Sequence, residues 1–383
     1  VYSKVDEKTR KGLDKSRAKE WSKYMDFNAT VKVEGDMLDE LLNEGHQMIP
    51  MQWIETDKKA HLKRPGMEHL HEPELKSRLV ACGHLEDAKD IRADSPTCAT
   101  EGFNLICSFA ACRKLRLKVG DLTNAYFTAD PIDRLLLLNP PRTGLPGVDP
   151  NEHCAYAMHK PVYGTKDAGR RFYKTFRRRA VEVGLVECRL CRSLYAYRHE
   201  GRIVILAGAH VDDIIWAAEP EWESLITKDL FGHFQLNQIE EGNFRFCGRE
   251  YTQKEDFSVY VTCKNNTEKI LPISFQKGIR SAEDKATASE IAQARSVIGS
   301  LAWIARQTRP DLCYKTSRLQ SVVSIAQVKH LTECNRVLTE AQATANVGIY
   351  FKSGEFDFDE SILISISDAS WANEDKIIDE HIF

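Results

Sequence analysis

Residues Arg202–Glu219 read RIVILAGAHVDDIIWAAE. Two apolar runs flank His210-Val211-Asp212-Asp213, a pattern that predicts a β-hairpin with two carboxylates at its tip. Upstream, Leu115, Leu117 and Val119 alternate with Arg116 and Lys118. That alternation predicts a half-buried strand, and it runs straight into Asp121. Carboxylates on apolar strands are costly unless they are paired or bound to metal. If the two strands lie side by side, Asp121 and Asp212 face one site. They would then hold two Mg²⁺ ions about 3.5–4 Å apart, the arrangement that in-line phosphoryl transfer requires. Taken alone, the hairpin is explained more readily by the preference of Asp for turns.

Outward from this stretch, Phe103, Ile106, Cys107 and Ala110 recur at helical spacing. Four prolines between Asn139 and Pro150 mark a loop. Phe172 and Phe176 stand four apart among Arg170, Arg171, Lys174, Arg177, Arg178 and Arg179, which predicts an amphipathic helix with a basic face. No acidic residue interrupts that run. The face is therefore read as a track for nucleic-acid phosphates, with a plain solvated surface as the alternative. Residues 1–50 and 287–345 also carry helical patterns, and Ser77–Gly83 (SRLVACG) reads as a strand.

The chain has 383 residues, with 53 basic and 56 acidic side chains and a formal net charge of -3. Overall charge thus carries no polyanion-binding signal, and any such signal must be local. The length fits two or three domains at about 100–200 residues each. Of the eleven cysteines only Cys188 and Cys191 form a CxxC pair, and no second pair stands at zinc-ribbon spacing. Free thiols in a reducing compartment are expected. The apolar run Ile203–Val211 falls far short of the roughly 20 residues of a membrane helix. The expected setting is intracellular, cytoplasmic or nuclear, with no membrane partner. The chain begins at Val1 rather than Met, which reads as a fragment or a processed piece.

Six segments in order resemble the reverse transcriptase of copia-type retrotransposons, from about Trp21 to Asn346. KSRLVACGH (Lys76–His84) resembles its fingers motif, and DLTNAYF (Asp121–Phe127) its first palm motif. VYGTKDAGRRFY (Val162–Tyr173) is similar to its Tyr-Gly-Leu-Lys-Gln stretch. His210–Asp213 is similar to its Tyr-x-Asp-Asp turn. FRFCGREY (Phe244–Tyr251) resembles the segment that grips the primer, and Val297–Tyr314 the connection with its Thr-Arg-Pro-Asp core. Order multiplies the weight of motifs that are individually weak. The sequence departs from the pattern at His210, where the family has Tyr, and at Asp167, where it has Gln.

The resemblance implies an α+β right-hand polymerase. Fingers and palm would span residues 1–255, with helices on one face of an antiparallel palm sheet. Thumb and connection would span 256–350, and a truncated RNase H-like start 351–383. It implies an RNA-directed DNA polymerase that takes an RNA template, a DNA primer and deoxynucleoside triphosphates, with Mg²⁺ or Mn²⁺ as cofactor. Asp121 and Asp212 would ligate metal and Asp213 would complete the cluster. Lys76 and Arg78 would neutralise nucleotide phosphates; read alone, they are ordinary surface charges. Tyr126 would sit under the sugar and exclude a 2′-hydroxyl, or else pack in the core. Asp167 would touch the incoming nucleotide, where its charge would repel phosphates. That charge and the apparent truncation favour a second reading, a catalytically inactive remnant that only binds nucleic acid, whereas the intact Asp121, Asp212 and Asp213 favour the polymerase. A metal-dependent nuclease leaves the fingers and connection motifs unexplained. SISDASWAN (Ser365–Asn373) resembles the first strand of the family's RNase H domain, whose metal-ligand Asp would be Asp368. Ten residues follow it, too few for the remaining carboxylates, so no RNase H activity is expected.

Overall fold

Local sequence sets the elements before packing joins them. Asp6 caps helix α1 (Glu7–Asp26) by accepting the Thr9 amide at 2.9 Å, which satisfies one of the orphan donors of the first turn. The chain continues through β1 (Thr30–Glu34), α2 (Gly35–Asn43), β2 (Met48–Asp57) and β3 (Leu75–Ala81). Next come α3 (Thr100–Arg113), β4 (Lys118–Thr123), α4 (Ala125–Thr128), β5 (Leu137–Asn139), β6 (Cys154–Met158) and α5 (Ala168–Glu182). Strands β7 (Val186–Glu187), β8 (Leu194–His199), β9 (Arg202–His210), β10 (Asp213–Ala218) and β11 (Gln235–Glu241) follow. The last part holds β12 (Asn243–Phe246), β13 (Arg249–Gln253), β14 (Val259–Thr262), α6 (Lys264–Glu268), α7 (Ala288–Gln307), α8 (Cys313–Val322), α9 (Val328–Ala343) and β15 (Ile349–Phe351). The structure, a computed structural model, describes Tyr2 and residues 5–60, 72–87, 89–275, 279–355 and 357–358.

The architecture is α+β, as expected. Three sheets run β1-β6-β5-β2-β3, β11-β4-β10-β9-β8-β7 and β12-β13-β14-β15. The first packs Ile49, Met51, Leu79 and Tyr156 against Trp21 and Tyr24 of α1. The second is antiparallel throughout and is the sheet expected of a palm. Helices cover both of its faces, not one. α3 closes a core with Val119, Ile215 and Ala217, while α5 closes another with Leu122, Ile214 and Trp216. The reason lies in β9 and β10, where Val204–Ala209 and Ile214–Ala218 are buried without interruption. A strand that is apolar on both sides needs a cover on both sides.

The boundary expected at residue 255 falls inside a β-hairpin. β13 pairs with β14 across it, and β15 returns to close the same sheet. Phe244, Tyr251, Val259 and Val261 join the core of α3, so this sheet belongs with the palm. The helices α7, α8 and α9 have their own core around Leu301, Leu319, Val337 and Leu338. Arg309 of the Thr-Arg-Pro-Asp segment is buried there. It donates to Asp311 at 2.7 Å and to the Thr344 carbonyl at 3.0 Å, just past the end of α9. No described helix is long and apolar enough to cross a membrane. Asp368 and the Ser365–Asn373 segment lie outside the described residues.

Asp167, expected to touch the incoming nucleotide, lies buried in an ion cluster. It precedes α5, and its buried carboxylate accepts Arg134 at 2.6 and 2.9 Å and Arg171 at 2.5 Å. Arg134 also holds buried Glu86 at 2.7 Å. Burial by itself would raise the Asp167 pKa, but the bonds from Arg134 and Arg171 outweigh it and hold the carboxyl below its usual value. Its charge is consumed in joining the loop after β3 to α5. The repulsion of phosphates expected from sequence therefore has no free charge behind it.

Breaking one partner of a buried ion cluster strands the others. Arg134→Ala should lower the unfolding free energy by about 3–5 kcal/mol, measured by urea titration. A loss near zero would mean that Glu86 and Asp167 find other partners.

Candidate active site

β10 pairs antiparallel with β4 in a register that sets Asp213 directly opposite Asp121. Directly opposed residues have Cβ atoms about 4.5–5.5 Å apart and point to one face. The two carboxylates thus continue the face that carries Val119, Ile215 and Ala217 into the core. β9 and β10 are joined by Val211 and Asp212 alone, with Asp213 opposite His210. Val211 takes a φ of 58°, a left-handed conformation that is strained for a β-branched residue. The Asp212 carbonyl accepts the Leu122 amide at 2.8 Å, which pins the turn to β4. Strain of this kind persists only where surrounding bonds enforce it.

The three carboxylates repel one another in a half-buried setting. Burial raises the pKa of Asp212, with Asp121 adding to the shift and Arg78 and His210 opposing it. Burial, then the charges of Asp212 and Asp121, push Asp213 up to about 6. Among the described residues none of the three forms an ion pair. This is the reverse of the treatment given to Asp167.

Lys76 and Arg78 are two apart on β3 and so share a face. Burial, then the Arg78 charge, lower the Lys76 pKa. The Arg78 guanidinium lies 5.2 Å from the Tyr163 ring centre, and Tyr163 meets Tyr126 edge-on at 5.0 Å. Burial, then the Asp212 charge, raise the Tyr126 hydroxyl pKa. Arg78, Tyr126 and Tyr163 therefore surround the hairpin tip, and Lys76 stands beside Arg78. Tyr163 was not singled out from the sequence; its place in Val162–Tyr173 beside a Gly was the available signal. The β12–β13 turn reaches the same place. Burial raises the Cys247 thiol to about 12, with Asp213 contributing. The Gly248 carbonyl accepts Asn266 at 2.9 Å.

The basic helix is less free than its sequence implies. Arg170 pairs with Asp94 at 2.6 Å, Arg171 with Asp167 and Asp133, and Arg177 with Glu187 at 2.7 Å. Arg178 pairs with Asp130 and Glu182, both at 2.7 Å. Two of the acids, Asp167 and Glu182, stand one turn away at the two ends of α5, and the others come from loops and from β7. An open cleft remains between Arg92, Arg170, Lys174, Arg177 and Arg192, where cations still outnumber Asp94 and Glu187.

Residues 40–272 match the family model described as reverse transcriptase (RNA-dependent DNA polymerase). The chain belongs to the reverse transcriptase family of copia-type retrotransposons. It is 25% identical over 314 residues to the retrovirus-related Pol polyproteins from transposons RE1 and RE2 of Arabidopsis thaliana, covering 78% of this chain. It spans 21% of the length of these curated relatives. A solved structure of a foamy viral protease-reverse transcriptase in complex with double-stranded DNA aligns with a TM-score of 0.40 at 13% identity, covering 82% of this chain and 48% of that one.

Because the folded pKa of Asp213 lies above the roughly 3.9 of an unfolded Asp, its protonated form stabilises the fold. That contribution is full below about pH 4 and is lost as the pH rises through about 6. Without divalent metal, Asp213→Asn should melt higher than the parent chain at pH 7.5, with the gap closing between about pH 6 and pH 4. Thermal unfolding across that range checks it; a gap independent of pH would contradict the electrostatic account.

Proposed function

We propose that the chain is an RNA-directed DNA polymerase that extends a DNA primer on an RNA template from deoxynucleoside triphosphates. The observation that carries this reading is the pairing of Asp121 with Asp213 beside Asp212, three carboxylates near Arg78 that have no ion-pair partner among the described residues. Such a cluster is unstable by itself and suits divalent cations. Its oxygen donors fit Mg²⁺ or Mn²⁺. Among the described residues no group of three or more His, Cys, Asp or Glu side chains could hold a metal ion unaided. Any ions held here would draw further ligands from substrate phosphates and water. Two ions held by Asp121 and Asp212, with Asp213 as the third carboxylate, would stabilise charge at the transferring phosphoryl group.

The chain's own side chains divide the remaining work. Arg78 and Lys76 meet the triphosphate, where cations offset the charge that develops on the leaving oxygens. Tyr163 keeps Arg78 in place through its ring face. Tyr126 lies under the sugar, and a 2′-hydroxyl there would meet its ring. The primer's 3′ oxygen attacks the α-phosphorus, its bond forms as the bond to pyrophosphate breaks, and the 3′ hydroxyl proton leaves to solvent. Template phosphates pass the cleft of Arg92, Lys174 and Arg192, where Lys174 has an ammonium to offer them. The ion cluster around Asp167 removes one motive of the inactive-remnant reading, the repulsion expected of that residue.

Primer extension on an RNA template with Mg²⁺ tests the proposal. Asp121→Asn and Asp212→Asn should each cut extension by about 10²-fold or more while the fold survives. Undiminished extension in either variant would sink the metal assignment, and an inactive parent chain the proposal. Arg78→Ala should raise the Michaelis constant for nucleotide by about 10-fold or more, the loss of one charge-assisted phosphate contact. In Tyr126→Ala, discrimination against ribonucleotides should relax, and unchanged selectivity would make the ring a packing residue.

A further inference from the structure

Away from the acidic cluster, two thiols lie close together. Cys98 Sγ and Cys191 Sγ are 3.8 Å apart although 93 positions separate them in sequence. Cys98 is buried in the segment that enters α3. Cys191 is half-buried in the loop between β7 and β8, next to a fully exposed Leu190. Two glycines make the space. A Cβ on Gly102 of α3 would stand 2.5 Å from Cys98 Sγ and 2.9 Å from Cys191 Sγ, and one on Gly208 of β9 would stand 3.1 Å from Cys98 Sγ. A glycine inside a helix is destabilising relative to alanine. At residue 102 it leaves the niche in which the two sulfurs meet.

The backbone around the pair is already fastened. The Cys98 amide donates to the Ala209 carbonyl at 2.8 Å, and the Ala209 amide donates to the Ser193 carbonyl at 2.9 Å. The Ser193 hydroxyl donates to the Pro96 carbonyl at 3.0 Å. A disulfide spans about 2.05 Å between sulfurs, so closure needs a small movement, and the exposed loop is the part able to make it.

We propose that Cys98 and Cys191 are a modification site, a dithiol that closes to a reversible disulfide under oxidising conditions. The bond staples the β7–β8 loop to the entry of α3, beside the β9 end that leads into the His210–Asp213 turn. It also anchors Arg192, which lines the basic cleft. The oxidant is a small disulfide such as oxidised glutathione. The Cys191 thiolate attacks one of its sulfurs, the small disulfide's S–S bond breaks, and one glutathione thiolate leaves. Cys98 then gives up its proton to solvent and attacks Cys191 Sγ, displacing the second glutathione. Two cysteine thiols are oxidised and one glutathione disulfide is reduced to two thiols. The order follows from access, and burial holds the Cys98 thiol well above its usual range, which keeps it as the resolving partner.

Incubating the full chain with oxidised glutathione, alkylating the remaining thiols and mapping unreduced peptides by mass spectrometry tests this. The expected result is a Cys98–Cys191 linked peptide, removed by dithiothreitol, together with slower amide exchange over residues 188–193. Cys191→Ser, a change in the exposed loop, should abolish the link and leave the reduced chain's melting temperature unchanged. The proposal is overturned if Cys98 stays open to alkylation after unfolding, if Cys191 is found joined to Cys188, or if Cys191 carries glutathione without a link to Cys98.

Discussion

The register between β4 and β10 governs everything at the candidate site. Side chains alternate faces along a strand, so a slip of one residue would send Asp213 to the Trp216 face, into the core beneath α5. Two features oppose that slip. Ile214 and Trp216 fill one apolar face while Ile215 and Ala217 fill the other, and the Asp212 carbonyl is tied to the Leu122 amide. Both faces are buried, so neither can be exchanged for solvent. The acidic tip is the one place where this sheet carries charge against its own packing.

Carboxylates are handled in two opposite ways within this chain. Glu86 and Asp167 are deeply buried, and each is met by a guanidinium. They join the first layer to α5, and their charge is spent on structure. Asp121, Asp212 and Asp213 are less buried, yet among the described residues no cation pairs with them, and burial followed by mutual repulsion lifts Asp213 above its ordinary pKa. An unpaired cluster on a pinned turn is an electrostatic cost to the fold that bound cations would offset.

The other elements converge on that tip. β3 supplies Arg78, the short α4 supplies Tyr126, and the loop before α5 supplies Tyr163, so three separate segments meet at one corner of the palm sheet. The β12–β13 turn also reaches this tip and carries a contact to α6 with it. The short α6 in turn packs against α7 and α9, so the hairpin is one link between the acidic cluster and the helical unit. The pairing of β14 with β15 returns the chain to the palm once that unit is complete.

Much of this was legible in the residues. The hairpin around Asp212 and Asp213, the strand into Asp121, the helices of Glu101–Lys114 and Arg170–Arg179, and the helical 287–345 region all follow from local periodicity, and each is present. Motif order was enough for the family. What local pattern cannot carry is partnership across the chain. The arginines of α5 read as an unpaired basic face because their acids stand outside the run, some at the ends of α5 (Asp167, Glu182) and others in loops and on β7. Asp167 read as a free charge because Arg134 lies 33 positions away and Glu86 lies 48 from Arg134. The two-sided cover of the palm sheet and the meeting of Cys98 with Cys191 belong to the same class. Periodicity reports which face of an element is apolar, since that preference is held by the element alone. Which charge is neutralised, and which is left exposed to a metal or a phosphate, depends on distance and desolvation, and those exist only once the chain has folded.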